Sequence, residues 1–325
     1  MKKFIAILSI CGAFIVSFVA WAADDNSFLS PAWWKNATPE MVETAINNGA
    51  DINEKYKFGI TPLMVAAAQN QNPEIVETLI KHGADVKERN EEGLTALMHA
   101  ALLNQNPEVI ETLIKHGADV KDRNEEGWTA LMHAARDNQN PEIVETLIKH
   151  GADVNDRDER GWTALMHAAE LNQNPEIVET LIKHGADVKE RDEEGLTALM
   201  HAALLNQNPE VIETLIKHGA DVKERNEKGL TALMYAAAQN QNPEVIETLI
   251  KHGADVKDRY EQGWTALIVA ARFNQNPEVI ETLIEHGADV KAKDINGKTV
   301  LDYAKENPKL YKTNIYWKLN DKMYE

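Results

Sequence analysis

Eleven histidines dominate the side chains that could do chemistry, and they stand in two ladders. His82, His116, His150, His184, His218, His252 and His286 recur every 34 residues, and His99, His133, His167 and His201 repeat at the same interval. A zinc site needs such rings to converge at roughly 2.0–2.1 Å from one ion. Equivalents spaced by a fixed repeat lie instead on successive layers, parallel and about 8–10 Å apart. The sequence therefore predicts no metal site and no cofactor. Capping of helix ends suits the first ladder, and part-buried packing suits the second. The alternative is pH sensing. Titration of all the histidines near their usual pKa of about 6.5 would remove much of the negative charge and change any partner affinity.

Other catalytic chemistry lacks candidates. Ser27 and Ser30 are the only serines beyond the first 22 residues, and the lone cysteine, Cys11, lies before them. Neither serine has a histidine at a suggestive spacing, so nucleophilic catalysis has little to work with. The glycines form no phosphate-cradling loop. Glu108, Glu142 and Glu176 recur layer by layer, as a solvated helix-capping face does rather than a catalytic pair. No enzyme is expected. The chain carries 34 Lys+Arg against 52 Asp+Glu, a formal charge of −18. That balance disfavours nucleic acid and polybasic attachment to lipid, which both need clustered cations.

The elements that would position these groups follow from the repeat. Gly-Ala-Asp begins at Gly49, Gly83, Gly117, Gly151, Gly185, Gly219, Gly253 and Gly287, always 34 residues apart, and a second glycine series from Gly59 to Gly297 keeps the interval. Between Gly93 and Glu126, Thr95 is placed to cap a short helix from Ala96 to about Leu103. Asn104-Gln105-Asn106 interrupts it, and Pro107 starts a second helix at the position proline tolerates best. Val109, Ile110, Leu113 and Ile114 give that helix an apolar stripe. Lys115 and His116 sit at its negative end, and Gly117 suits a left-handed stop. Asp119 to Gly127 is predicted to form a polar turn or hairpin.

This arrangement resembles the ankyrin repeat. Gly59-Ile60-Thr61-Pro62-Leu63-Met64-Val65-Ala66-Ala67 is similar to the start of that family's unit, and Gly151-Ala152-Asp153-Val154-Asn155 to its end. The unit is one residue longer than usual, in the Asn-Gln-Asn linker. Methionine (Met64, Met98, Met132) replaces the family's histidine, so that residue's bond to the turn is expected to be absent. The resemblance implies an all-α solenoid of stacked helix pairs joined by β-turn or hairpin loops. The expected organisation is a signal peptide over 1–22, an N-terminal capping repeat over 23–58, seven repeats over 59–296 and a C-terminal cap over 297–325.

The leader has its own logic. Lys2 and Lys3 precede a run from Phe4 to Ala23 without charge, and Ala20-Trp21-Ala22 fits a cleavage site. The rest of the chain is expected in the periplasm of a bacterium or secreted, with no membrane contact after cleavage. The alternative is an uncleaved anchor facing the periplasm.

Some positions differ between copies. After the turn glycine come Leu94, Trp128, Trp162, Leu196, Leu230 and Trp264. At the end of the first helix come Leu102 and Leu103, Arg136 and Asp137, Glu170 and Leu171, Leu204 and Leu205, and Arg272 and Phe273. The resemblance implies that these places line a concave, partner-contacting face. Tryptophan, leucine, phenylalanine and arginine are also the types that dominate interface energetics. The charged members would orient an unidentified protein partner, basic or neutral, and the apolar members would supply contact. A second reading has Trp128, Trp162 and Trp264 lying flat on the next turn and serving only the stack. The chain is expected to be a monomer, with a self-associating envelope scaffold as the alternative.

Overall fold

The computed structural model describes residues 30–324, so the leader and its cleavage site lie outside the described residues. Two compact units divide the chain, one up to Glu125 and one from Glu126. That division falls within a residue of a repeat boundary. Each unit is a stack of short helix pairs, and no helix among the described residues is long and apolar enough to cross a membrane.

In the first unit α1 (Pro31–Asn36) and α2 (Pro39–Asn47) form the terminal layer, α3 (Pro62–Gln69) and α4 (Pro73–Lys81) the next, and α5 (Ala96–Leu103) and α6 (Pro107–Lys115) the third. The second unit continues the alternation: α7 (Ala130–Asp137), α8 (Pro141–Lys149), α9 (Ala164–Leu171), α10 (Pro175–Lys183), α11 (Ala198–Leu205), α12 (Pro209–Lys217), α13 (Ala232–Gln239), α14 (Pro243–Lys251), α15 (Ala266–Phe273), α16 (Pro277–Glu285), α17 (Val300–Glu306) and α18 (Asn314–Tyr324). Within each unit, first helices pack on first helices and second helices on second helices of the adjoining layer. The fold is the expected all-α solenoid, and the joining segments are turns, with one isolated bridge between Lys293 and Thr299.

Local chemistry explains the boundaries. Thr95 Oγ1 accepts from Met98 N at 3.4 Å, and Asn106 Oδ1 accepts from Glu108 N at 3.0 Å, so each helix has a side-chain cap. Pro107 then needs no hydrogen bond in the first turn. His82 and His286 receive the helix ends, with Nδ1 2.9 Å from Thr78 O and 2.8 Å from Thr282 O. The two glycine series meet different demands. Gly117 turns the chain at φ +101° with open space where a Cβ would stand. Gly93, at φ +76°, would set a Cβ 3.0 Å from Glu125 N of the following turn. The alanines Ala100 and Ala101, both 0 % exposed, let neighbouring first helices approach closely.

Candidate partner-binding surface

Three ladders of polar bonds position the ends of the first helices. Within each unit, asparagines that follow first helices are buried and reach back one layer. Asn206 Nδ2 donates to Ala169 O at 2.9 Å and Asn172 O at 2.8 Å, while its Oδ1 accepts from Asn208 N at 2.9 Å. Asn104, Asn240 and Asn274 repeat the pattern. The sequence marks these residues as helix breakers and caps, and their recurrence beside a proline-started helix is the signal for the bridging role. Arginines tie the turns. Arg191 donates to Gly195 O at 3.0 Å and Arg225 O at 3.2 Å and pairs with Glu224, and Arg225 repeats this on Gly229 O, Arg259 O and Asp258.

The third ladder is one the sequence does not predict. Among the described residues the methionine position makes no such bond to the turn, but the residue after it reaches the turn. His167 Nε2 lies 3.2 Å from Asp158 Oδ2, and His201 Nε2 lies 2.9 Å from Asp192 Oδ2. Tyr303 donates to Asp294 Oδ2 at 2.8 Å, and Asn226 Nδ2 donates to the Tyr235 hydroxyl at 2.9 Å. Burial alone would raise the Asp158 carboxyl, but bonds from His167 and from the Trp162 and Arg160 backbone hold it below its usual range. Asp192 is lowered in the same way, by His201 and the backbone of Leu196 and Glu194. Burial pushes His167 down to about 4 in spite of Asp158, and pushes His99 down to about 4. These two histidines stay neutral through the range in which a sensor would switch.

The sixteen variable residues separate by burial. Trp128, Trp162 and Trp264 are 4–6 % exposed, and Leu94, Leu196 and Leu230 3–6 %. The position after the turn glycine is thus an interior one, which corrects the expectation that it faces solvent. The Trp128 ring lies between His133 and His167, with centroids 5.1 and 4.0 Å away, and Trp162 lies likewise between His167 and His201. Trp264 meets Tyr303 at 4.8 Å and Phe273 at 5.9 Å. Each ring fills the space between its own layer and the next, which is the stacking reading. Arg136, Glu170 and Leu204 are buried as well. Arg136 lies over Trp128 at 5.3 Å. Burial raises Glu170 against the opposing pull of His201, Arg136 and Arg160.

What remains on the surface is chiefly the last residue of the first helices, joined by Leu102 and Arg272. In the second unit Asp137, Leu171, Leu205 and Gln239 are half-exposed and Phe273 is exposed. They share one register, 34 residues apart, on helices that pack consecutively, so they form a single row. Gln239 was not among the expected contact residues. Burial raises the Asp137 carboxyl, with Arg136 opposing it. Leu102 and Leu103 are half-exposed in the first unit. Arg272, also half-exposed, is held by Glu306 at 2.7 Å. The turn tips of the second unit carry exposed Glu159, Glu193, Glu194, Glu227 and Glu261, together with exposed Arg160 and Lys228. Among the described residues no group of three or more His, Cys, Asp or Glu side chains is placed to hold a metal ion.

Comparison with protein families finds one profile, described as ankyrin repeats (3 copies), that matches residues 32–124, 101–192, 171–260 and 237–313. No curated protein matches the chain.

Proposed function

Because this chain belongs to the ankyrin-repeat family, whose repeats are general protein–protein interaction modules, we propose that it binds another protein through the row formed by Asp137, Leu171, Leu205, Gln239 and Phe273, and that it does so outside the cytoplasm. The carrying observation is a contrast within each layer. Caps, clasps and core repeat almost unchanged, while this half-exposed position reads acid, leucine, leucine, amide and phenylalanine. Stacking makes no demand there, since the asparagine and arginine ladders hold the backbone on either side. A backbone already fixed by its neighbours loses little entropy on docking, which favours affinity. The chain's net charge of −18 favours a basic or neutral partner. The role is binding rather than catalysis. Export rests on the basic and apolar leader.

The test is capture of envelope proteins by the purified chain and by a Leu171→Glu, Leu205→Glu, Phe273→Glu variant. Loss of a specific captured protein, with circular dichroism unchanged, supports the row as the contact. Retention of every captured protein refutes it. Fractionation of the host cells tests the compartment, and recovery of the chain from the cytoplasm alone refutes export.

A further inference from the structure

Among the described residues, the first and last layers carry opposite charge, and each leaves apolar side chains exposed. Met41 on α2 is 40 % exposed, whereas Ile75 and Val109 at the same register are 0 % exposed. Ala45 is half-exposed where Leu79 and Leu113 are buried. This is the stacking face that inner layers cover with a neighbour. Glu40 and Glu43 are exposed beside it. From Ser30 to Phe58 four carboxylates stand against three lysines, and the lysines Lys55 and Lys57 lie in the turn rather than on α2.

At the other terminus, α18 lies beyond residue 313, where the family profile ends. It is seated through Ile315, Tyr316 and Leu319 and by an ion pair between Lys318 and Glu281. A closing helix needs a polar outer face to be soluble. Here Trp317 is 52 % exposed, Tyr324 81 % and Tyr311 46 %. The Tyr311, Tyr316 and Trp317 rings form a cluster with centroids 5.4 and 5.1 Å apart. From Asn307 to Tyr324 four lysines stand against one aspartate, within a chain whose net charge is −18.

We infer that these faces are the two halves of one interface, and that a second copy of this chain docks its C-terminal aromatic face on the uncovered N-terminal layer. Opposite charge aligns the faces, and tryptophan and tyrosine supply the contact area that anchors interfaces. The contact is heterologous, so each bound copy spends one face and the pair together keeps one unused face of each kind. Association then continues copy by copy or closes into a ring. This inference does not depend on the row proposed to bind a partner, and it departs from the expected monomer.

Sedimentation velocity of the purified chain over a concentration series tests it. The weight-average mass is expected to rise at least two-fold with concentration and to fall back in high salt, which screens the charges. Trp317→Ser removes one face and Met41→Gln the other, both at solvent-exposed positions, and circular dichroism verifies that each variant is folded. Each variant alone is expected to sediment as a monomer. Their equimolar mixture is expected to give dimers and nothing larger, because only one intact pair of faces remains. A parent chain that stays monomeric, a variant that still associates alone, or a mixture that grows beyond dimers would each overturn the inference.

Discussion

Acid sensitivity in this protein is expected to reside in His99 and His167 of the first helices, and His99→Tyr isolates the first of them. The chain supplies the design itself. Tyr235 occupies the same register in a later layer, where its hydroxyl accepts from Asn226 Nδ2 at 2.9 Å. Leu230 precedes Tyr235 as Leu94 precedes His99, and Asn90 stands where Asn226 does. His99 is 4 % exposed, and burial brings it to about 4 from 6.5. A histidine depressed in the folded state leaves stability intact above pH 6.5. It withdraws stability as the pH falls toward 4, because only the unfolded chain takes up the proton in that interval. One pKa unit is worth about 1.36 kcal/mol, so by pH 5 the loss is about 2 kcal/mol for this residue. Hydrogen exchange of the α5 amides, corrected for intrinsic rate, reads local opening free energy at pH 7.5 and pH 5. The parent is expected to lose about 2 kcal/mol more than the tyrosine variant between those two conditions. Equal losses would refute the assignment of acid sensitivity to His99.

Two further outcomes follow from the ladders. Asn206→Ala strips hydrogen bonds from Ala169 O and Asn172 O in a fully buried site. It is expected to destabilise the second unit by about 2–3 kcal/mol, read as a lower urea midpoint, and an unmoved midpoint refutes the bridging role. Trp162→Ala is expected to cost about 3–5 kcal/mol as a core cavity while the folded fraction keeps its captured partner. Loss of the partner at unchanged stability would restore tryptophan to the contact surface.

The fold was legible because its signals are local and repeated. Thr95, Pro107 and Gly117 sit where caps, first turns and left-handed stops require those residue types, and the structure uses them so. Site burial was not legible to the same degree. Trp128 and Leu94 follow a turn glycine, and nothing in their spacing says whether a ring faces solvent or the next layer. That depends on the gap between layers, which His133 and His167 fill from two different repeats. The helix-to-turn clasp was not legible because the repeat gives no sign that His167 and His201, rather than Met166 and Met200 beside them, reach the turn. The asparagine ladder was missed because a residue that ends a helix is not thereby known to reach another. The row at Asp137, Leu171, Leu205 and Phe273 was anticipated as variable, and its exposure separates it from its buried neighbours Arg136, Glu170 and Leu204.

The sameness of the clasps has a cost during folding. Helices α5 and α11 have identical sequences, and each ends on an asparagine whose amide seeks two carbonyls one layer back. A nascent segment that joins the wrong neighbour finds nearly the same caps, arginine tethers and alanine contacts as in the right one. Local bonding therefore gives little discrimination against a slipped register or against exchange of layers between two chains. What marks the correct count is the pair of unlike termini, Trp34 with α1 at the start and Leu310, Ile315 and Leu319 at the finish. Refolding yield should accordingly depend far more on these end layers than on any single repeat between them.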